Sequence, residues 1–592
     1  MSDPRLLKGI GVSPGIAIGP LYVMSAEMPE ITHRVIANDE VEAELFRLRK
    51  AISDVRREIE LLKEHTLIHA GKEEAKIFGA QILMLEDPYF LGEVESLIRE
   101  NQLTAERAFE FKALEVRDQW AQSPSSTLRQ KIADLTGIQI RVLQALVGGS
   151  LEDVLHEAGD RPAIVLMREL TPGLTIQFEQ ANVSGLGSEY GTRAAHAAII
   201  ARSLEMPCVM GISGGIDHLR RGTMAILDGT LGTILVEPTE EEMAEAQVRD
   251  GRRLALEGEL KDAVGQPSIT ADAVTIKLRG NVDLPEEIEL VAENRAEGVG
   301  LLRTEFMLIG RNEMPGEDEQ TEFFTRIAKW FPTSPVIIRS YDVGGDKFPA
   351  AFRSQREANP FLGWRAIRVC LDEPEMFRTQ IRAVLRARAL ADVRFMLPLV
   401  SQVEEIERTR DLVTEESEKL EREGVEYGAD LPLGVMVETP AAAMMVDQFA
   451  EKSAFISVGT NDLTQYTLAI DRGNARMANR FTALHPAVVR LLKRIVDTSN
   501  QERLEVSVCG EMASEPLSLL LLIGLGYKVF STSPVALPLV RWLVRQFDVF
   551  TAKSAADVAL EAPTARDVYE VLEWRLRDMI DPELLDLGPL PG

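Results

Sequence analysis

The sequence predicts a multidomain α/β protein with an inserted α-helical bundle, a linker helix and a C-terminal (β/α)8 TIM barrel. Three observations predict it. From residue 270 onward, eight short apolar or β-branched runs alternate with helical segments of about 12–20 residues, the regime of βα units. Residues 38–147 are charged throughout and carry leucine and isoleucine at helical spacing. Short glycine-rich strand signals flank that stretch, at 8–24 and 162–238, and read as one α/β domain split by an insertion. The predicted domains are therefore 1–30 with 150–238, the insert 38–147, a linker 239–265 and the barrel 266–592.

Composition bounds the function. A chain of 592 residues is too long for one core and is expected to form about two to four domains. Its net charge of −28 argues against a nucleic-acid scaffold and suits basic partners. Three cysteines, Cys208, Cys370 and Cys509, stand in no paired spacing. That argues against a disulfide framework or a zinc cluster and fits a reducing compartment. No apolar run reaches membrane length and no apolar signal segment opens the chain, so a cytoplasmic enzyme or signalling protein is expected.

The stretch KGIGVSPGIAIGPLYVM (8–24) predicts one or two strands with turns. Asp87-Pro88 and Ser123-Pro124 divide the insert into about four helices. Strand signals resume at PAIVLMR (162–168) and at Val183-Ser184-Gly185, then at CVMGI and TMAILDGTLGTILVEP, whose Asp228-Gly229 predicts a hairpin turn. Between them, Gly191-Thr192-Arg193-Ala194-Ala195-His196 leads into an apolar run at helical spacing, placing His196 in or near a first turn. Unpaired N–H groups and the helix dipole there favour a phosphoryl group on the imidazole. A histidine packed into a small-residue helix start is the plainer alternative. Residues 239–262 are charged, proline-free and helical, either a linker or a solvated surface helix.

The chemistry gathers at the ends of the barrel runs, where such barrels carry their active sites. GVGLLRTEF ends in Arg303-Thr304-Glu305, and PVIIRSYD ends in Arg339 with Asp342 after it. A glycine loop with Lys347 follows, and Arg365 is expected at a helix start after Asn359-Pro360-Phe361. LGVMVET ends in Glu438, AFISVGTND in Asn461-Asp462 with Arg472 beyond, and LEVSVCGE in Cys509-Gly510-Glu511. Arginines and a lysine call for an anion with planar or tetrahedral oxygens. Glu438 and Asp462, with no histidine beside them, suit a hard cation such as Mg²⁺. A metal and arginines around phosphate make a phosphoryl-transfer site. Cys509 reads either as a buried small hydrophobe or as a proton donor facing the site.

The block AFISVGTNDLTQYTLAIDRGN (454–474) resembles the signature of phosphoenolpyruvate-utilising enzymes. With GVGLLRTEF, DVGGDK, NPFLGWRAIR, GVMVETPAA, CGEMA and SPGIAIG, nearly the whole chain resembles the Enzyme I family of the phosphoenolpyruvate–sugar phosphotransferase system. The resemblance implies that Mg²⁺ on Glu438 and Asp462 binds phosphoenolpyruvate. It implies that Arg303, Arg339 and Arg472, with Lys347 nearby, hold the phosphate, while Arg365 and Asn461 help hold the substrate. His196 is then the nucleophile, through its Nε2. A neutral imidazole is needed for attack, which suits an ordinary pKa of about 6.5. Cys509 protonates the enolate carbon to give pyruvate. The phosphoryl group passes on to a histidine of a small HPr-like phosphocarrier docked on the insert, where Glu73, Glu74 and Glu86 could steer a basic surface or be plain solvated charge. The resemblance also implies a homodimer through the barrel and hinges within 238–265.

The sequence departs from the family at the histidine. The usual Gly-Gly-Arg-Thr-Ser-His is here Gly191-Thr192-Arg193-Ala194-Ala195-His196, so two hydroxyls become methyl groups. This bears on the rate and on the stability of a phosphohistidine rather than on the reaction type. Three other readings compete. A dikinase or phosphoenolpyruvate synthase needs a further nucleotide-binding domain, for which no room is read here. A slow regulatory phosphorelay sensing phosphoenolpyruvate is the main alternative. A metal-dependent barrel lyase leaves His196 without a role. No sensory domain precedes SPGIAIG, which leans the expectation toward sugar uptake rather than nitrogen regulation.

Overall fold

A computed structural model describes residues 5–24, 34–69, 72–121, 131–147, 162–170, 183–191, 198, 201–202, 206–213, 215–216, 219–308, 311, 313–344, 357, 359–472, 474, 477, 480–581 and 585. The chain divides into two compact units, Met1–Leu254 and Ala255–Gly592.

The first unit holds an eight-stranded sheet. Its strands are β1 (Leu6–Lys8), β2 (Ile10–Ser13), β3 (Ile16–Met24), β4 (Ala163–Glu169), β5 (Val183–Tyr190), β6 (Cys208–Met210), β7 (Thr223–Asp228) and β8 (Thr233–Val236). They lie in the order β1-β8-β7-β3-β4-β5-β6-β2. The central strands β3 to β6 run parallel, and antiparallel pairs close both edges. The stretch 8–24 thus holds two whole strands, β2 and β3, as its pattern predicts, and a further short strand, β1, ends at its first residue. The hairpin is present, but its loop spans four residues. Asp228 Oδ1 accepts from the Thr230 and Leu231 amides at 3.0 and 2.8 Å, which closes the loop from the side chain.

Between β3 and β4 run helices α1 (Val41–His69), α2 (Lys72–Leu85), α3 (Pro88–Asn101), α4 (Ala105–Ala121) and α5 (Ile132–Val147). The described residues therefore hold five helices, not four. Asp87, at the predicted division, caps α3 by accepting from the Tyr89 and Phe90 amides at 2.8 and 3.0 Å. Two breaks are unforeseen, the one between α1 and α2 and the one at Gln102, left-handed at φ 54°, which ends α3 without a glycine or proline signal. Buried Phe90, Val94 and Ile98 recur every fourth residue on α3, and Phe90 meets Phe109 edge-on at 5.3 Å. Ser123-Pro124 lies outside the described residues. A long helix, α6 (Glu240–Val264), covers the predicted linker segment.

The second unit is a closed parallel barrel in which all eight predicted runs form strands: β9 (Lys277–Val282), β10 (Val299–Leu302), β11 (Val336–Arg339), β12 (Val393–Leu397), β13 (Leu433–Val437), β14 (Phe455–Val458), β15 (Glu505–Val508) and β16 (Val529–Thr532). Around it pack α7 (Glu287–Glu293), α8 (Glu317–Ala328), α9 (Ile367–Asp372), α10 (Pro374–Arg388), α11 (Val403–Glu423), α12 (Pro440–Met444), α13 (Val446–Ala450), α14 (Thr460–Leu468), α15 (Pro486–Gln501), α16 (Pro516–Leu525), α17 (Leu537–Gln546), α18 (Val549–Glu561) and α19 (Ala565–Arg577). Most strands are buried along their whole length, since helices cover one face and the barrel interior the other. Leu301, Ile337, Met396, Met436 and Phe455 form an inner apolar plug, with Cys509 at its edge. That plug closes the barrel as a pore and leaves its C-terminal mouth to polar groups.

One buried cation holds the barrel's lower seam. Arg541 on α17 is 2% exposed and donates to the carbonyls of Val264, Asn294 and Arg295 at 3.3, 2.8 and 2.8 Å, and to Ser268 Oγ at 3.2 Å. It thereby satisfies carbonyls at the C-terminal ends of α6 and α7, which no further helical turn could reach. Arg541→Met is expected to cost about 3 kcal/mol, because a buried guanidinium and the part-buried carbonyls it bonds are lost as a charge-assisted network. Denaturant unfolding of the full chain checks this; a shift below about 0.5 kcal/mol contradicts it.

Candidate active site

Glu438 follows β13 directly. The next residue, Thr439, caps α12 by accepting from the Ala442 amide at 3.0 Å, so the strand end cannot drift. The Glu438 carboxylate is 3% exposed and accepts from the Leu399 amide at 2.6 Å. Its other oxygen points at Gly459, where a Cβ would stand 2.9 Å from it. Burial, followed by the neighbouring charges of Asp462 and Asp342, raises its pKa.

Asn461 and Asp462 do not end β14, as the sequence reading placed them. They lie in the first turn of α14, whose N-cap is Gly459. Asp462 is buried, and its two oxygens meet Arg365 Nη2 at 3.5 Å and Arg472 Nη1 at 3.6 Å. Both distances are long, so neither arginine holds the carboxylate firmly. Asn461 exchanges a pair of hydrogen bonds with Glu511, donating to Oε1 at 3.0 Å and accepting from the amide at 3.1 Å.

Arg339 is the last residue of β11 and is 8% exposed. Its Nη2 meets Glu305 at 3.1 Å and its Nη1 meets Asp342 at 3.1 Å. Burial works against the charge, but Glu305, Asp342 and Glu438 outweigh it and raise the pKa. Its Nε is buried with no hydrogen-bond partner, and so is the Nε of Arg303. Arg303 stands one residue past β10 and pairs with Asp283 at 2.6 Å. Arg472 is half-exposed, with its amide on Gln465 Oε1 at 3.2 Å.

Arg365 is not at a helix start. It sits two residues ahead of α9, in an antiparallel bridge with Gly344. A Cβ at position 344 would lie 2.6 Å from that of Arg365, so this crossing requires glycine. The Arg365 guanidinium donates to Asp342 Oδ1 from Nη2 at 2.7 Å and from Nε at 3.2 Å.

Cys509, one residue past β15, is 5% exposed. Its amide bonds the Val458 carbonyl at 3.1 Å, and its own carbonyl accepts from Asn281 Nδ2 at 3.1 Å. Burial pushes the thiol up to about 11, so it carries its proton at neutral pH. His196 and Lys347 lie outside the described residues.

The barrel mouth thus brings together Arg303, Arg339, Arg365, Arg472, Glu438, Asn461, Asp462 and Cys509. Sequence reasoning noted Glu305 and Asp342 but gave them no role, and passed over Asn281 and Tyr466. Acidic residues within three positions of a strand-end arginine were the available signal for the first two. Two buried guanidinium N–H groups without partners fit an anion's oxygens. A buried carboxylate with a raised pKa beside a second, loosely held one fits a hard cation. Among the described residues no group of three or more His, Cys, Asp or Glu could hold a metal, so these two would share it with water and substrate.

Three family models match the chain: the N-terminal region of PEP-utilising enzymes over 8–131, their mobile domain over 159–232 and their PEP-binding domain over 257–549. The phosphoenolpyruvate-protein phosphotransferase of Geobacillus stearothermophilus is 35% identical over 96% of this chain and 98% of its own length. The chain belongs to the phosphoenolpyruvate-protein phosphotransferase family. The Bacillus subtilis member is 34% identical over 95% of this chain and 98% of its own, and the Staphylococcus carnosus member 33% over 96% and 99%. The family uses a divalent metal. Among the described residues no helix is long and apolar enough to cross a membrane.

Proposed function

We propose that this chain transfers the phosphoryl group of phosphoenolpyruvate to its own His196 and then to a histidine of a small phosphocarrier protein, releasing pyruvate. This is the first step of the phosphotransferase system, and we place it in the cytoplasm. The observation that carries the reading is the pair of unpartnered guanidinium donors, on Arg303 and Arg339, beside the buried Glu438 carboxylate in one barrel mouth.

Arg303, Arg339 and Arg472, with Lys347, hold the phosphate, and Arg365 and Asn461 orient the rest of the substrate. Glu305 and Asp342 keep Arg339 and Arg365 in place before substrate arrives, so no reorganisation is needed at the moment of transfer. Glu438 and Asp462 would hold Mg²⁺, which when bound supplies charge neutralisation to the phosphoryl oxygens. His196 Nε2 forms the P–N bond as the bridging P–O bond breaks, and the bond electrons leave on the enolate oxygen. Cys509 then gives its proton to the enolate methylene carbon, yielding pyruvate and a thiolate that recovers a proton from water. The insert between β3 and β4 is the docking surface for the carrier. Glu86 is exposed there and pairs with Arg56 at 2.7 Å, while the side chains of Glu73 and Glu74 lie outside the described residues. Two copies pair through the barrel.

The test is incubation with radiolabelled phosphoenolpyruvate, Mg²⁺ and a phosphocarrier, assaying pyruvate and phosphoprotein together. Label and pyruvate in equal amounts support the reading; pyruvate without phosphoprotein overturns it. Within the same assay, Cys509→Ala is expected to slow pyruvate formation by about 10²–10⁴-fold while phosphoenolpyruvate still binds. Unchanged turnover would return Cys509 to a packing role.

A further inference from the structure

Asp462 and Tyr466 stand four residues apart on α14, so one helix face carries both toward Arg365. The Tyr466 hydroxyl donates to the Phe361 carbonyl at 2.6 Å. Its one proton is spent there, and toward Arg365 Nη1, at 3.3 Å, it acts as acceptor. The same phenol therefore ties the turn Pro360–Leu362 to α14 and fixes one corner of the guanidinium. The Phe361 ring lies 5.8 Å from that guanidinium and covers it.

The Arg365 fork is planar and rigid. Its Nε and Nη2 rest on Asp342, and Nη1 rests on Tyr466. With those corners held, Nη2 comes only within 3.5 Å of Asp462 Oδ2, the outer limit of a hydrogen bond. The bonds to Asp342 and Tyr466 together fix the position of the plane, and Asp462 stays at the edge of its reach. A cation on Asp462 and a guanidinium on Asp462 compete for the same oxygens, so what keeps Arg365 back keeps the carboxylate available.

We propose that Tyr466 is a positioning residue that couples the anion-binding and cation-binding halves of the mouth by holding Arg365 off Asp462. This rests on the reading of Glu438 and Asp462 as cation ligands. Burial pushes the Tyr466 hydroxyl up to about 12, so it stays neutral and keeps its bond to Phe361 under physiological conditions. The device lets one turn of α14 report substrate-side order to the metal side without touching either ligand.

The test uses the full chain and Tyr466→Phe, which keeps the ring and removes the hydroxyl. Mn²⁺ serves as the probe cation, with binding read by electron paramagnetic resonance without phosphoenolpyruvate. The Kd for Mn²⁺ is expected to rise about three- to tenfold, the loss of one partly buried hydrogen bond. The KM for phosphoenolpyruvate rises by a similar factor, with kcat within about twofold. In an Arg365→Met background, Tyr466→Phe is expected to leave the Mn²⁺ Kd unchanged, because the competing guanidinium is gone. Equal weakening in both backgrounds overturns the proposal, and so does a Tyr466→Phe protein whose Mn²⁺ Kd and KM match wild type. A loss of kcat at constant KM overturns it too, since that marks a group acting on the reacting atoms. Failure of the underlying reading has its own signature: Glu438→Gln would then bind Mn²⁺ as wild type does.

Discussion

His196→Ala is expected to abolish phosphoryl uptake from radiolabelled phosphoenolpyruvate while leaving the barrel able to bind the substrate. The methyl group of alanine offers no lone pair, and among the described residues the mouth provides no substitute. Its arginines are cations, its carboxylates repel a phosphate, and Cys509 is a protonated thiol held among apolar side chains. Arg303, Arg339, Arg365 and Arg472 lie in the barrel unit and each pairs with an acidic residue of that same unit. Calorimetry should therefore find phosphoenolpyruvate binding to His196→Ala within about twofold of wild type, a difference of roughly 0.4 kcal/mol. Acid-labile, base-stable label on the His196→Ala protein would remove the histidine from the mechanism. In the wild-type chain, Ala194 and Ala195 stand where the family carries hydroxyls. Restoring Thr and Ser at these two positions tests whether the missing hydroxyls govern the lifetime of the phosphohistidine.

Arg339→Met is the second large effect. Methionine approximates the length of the arginine stem and removes its charge. Three groups then lose a partner at once: Glu305 and Asp342, each at 3.1 Å, and whatever anion oxygen the unpaired Nε would meet. Loss of a preorganised donor to a developing negative charge costs about 10²–10³-fold in rate, and a fixed positive charge among buried carboxylates adds to that. The expected fall in kcat/KM is about 10³–10⁴-fold. Stability is expected to drop by about 3 kcal/mol as well, because Glu305 stays partly buried without its cation and Asp342 keeps Arg365 but loses Arg339. Arg339→Lys separates the two contributions. It keeps the charge and loses the fork, so stability should largely return while kcat/KM stays at least tenfold down. Wild-type kinetics in Arg339→Met would show that the substrate phosphate lies elsewhere.

Helix and strand positions in the barrel were legible because their signals are local. A parallel strand covered on both faces is mostly apolar along its length; LGVMV is apolar throughout, and VIIR and FISV depart from this only at Arg339 and Ser457. Strand-end arginines and carboxylates were legible because the barrel's C-terminal mouth is the one place where several strand ends meet. The break at Gln102 was not, since left-handed backbone at a non-glycine residue leaves no reliable mark in composition. The placement of Asp462 on a helix rather than at a strand end was also missed, because AFISVGTND reads as one strand until the turn at Gly459 is seen.

By itself, the sequence determined the barrel's strand count, the alternation that closes it and the inventory of charged groups at its mouth. All three follow from periodicity and from which residues lie next to one another along the chain. Only the tertiary structure decided the pairings: Arg365 on Asp342 and Tyr466, Arg339 on Glu305, Asn281 under Cys509, and Arg541 on three carbonyls distant in the chain. The physical reason is that hydrogen bonds and ion pairs act over a few ångströms of space, and which groups come that close is settled by packing rather than by their spacing along the chain.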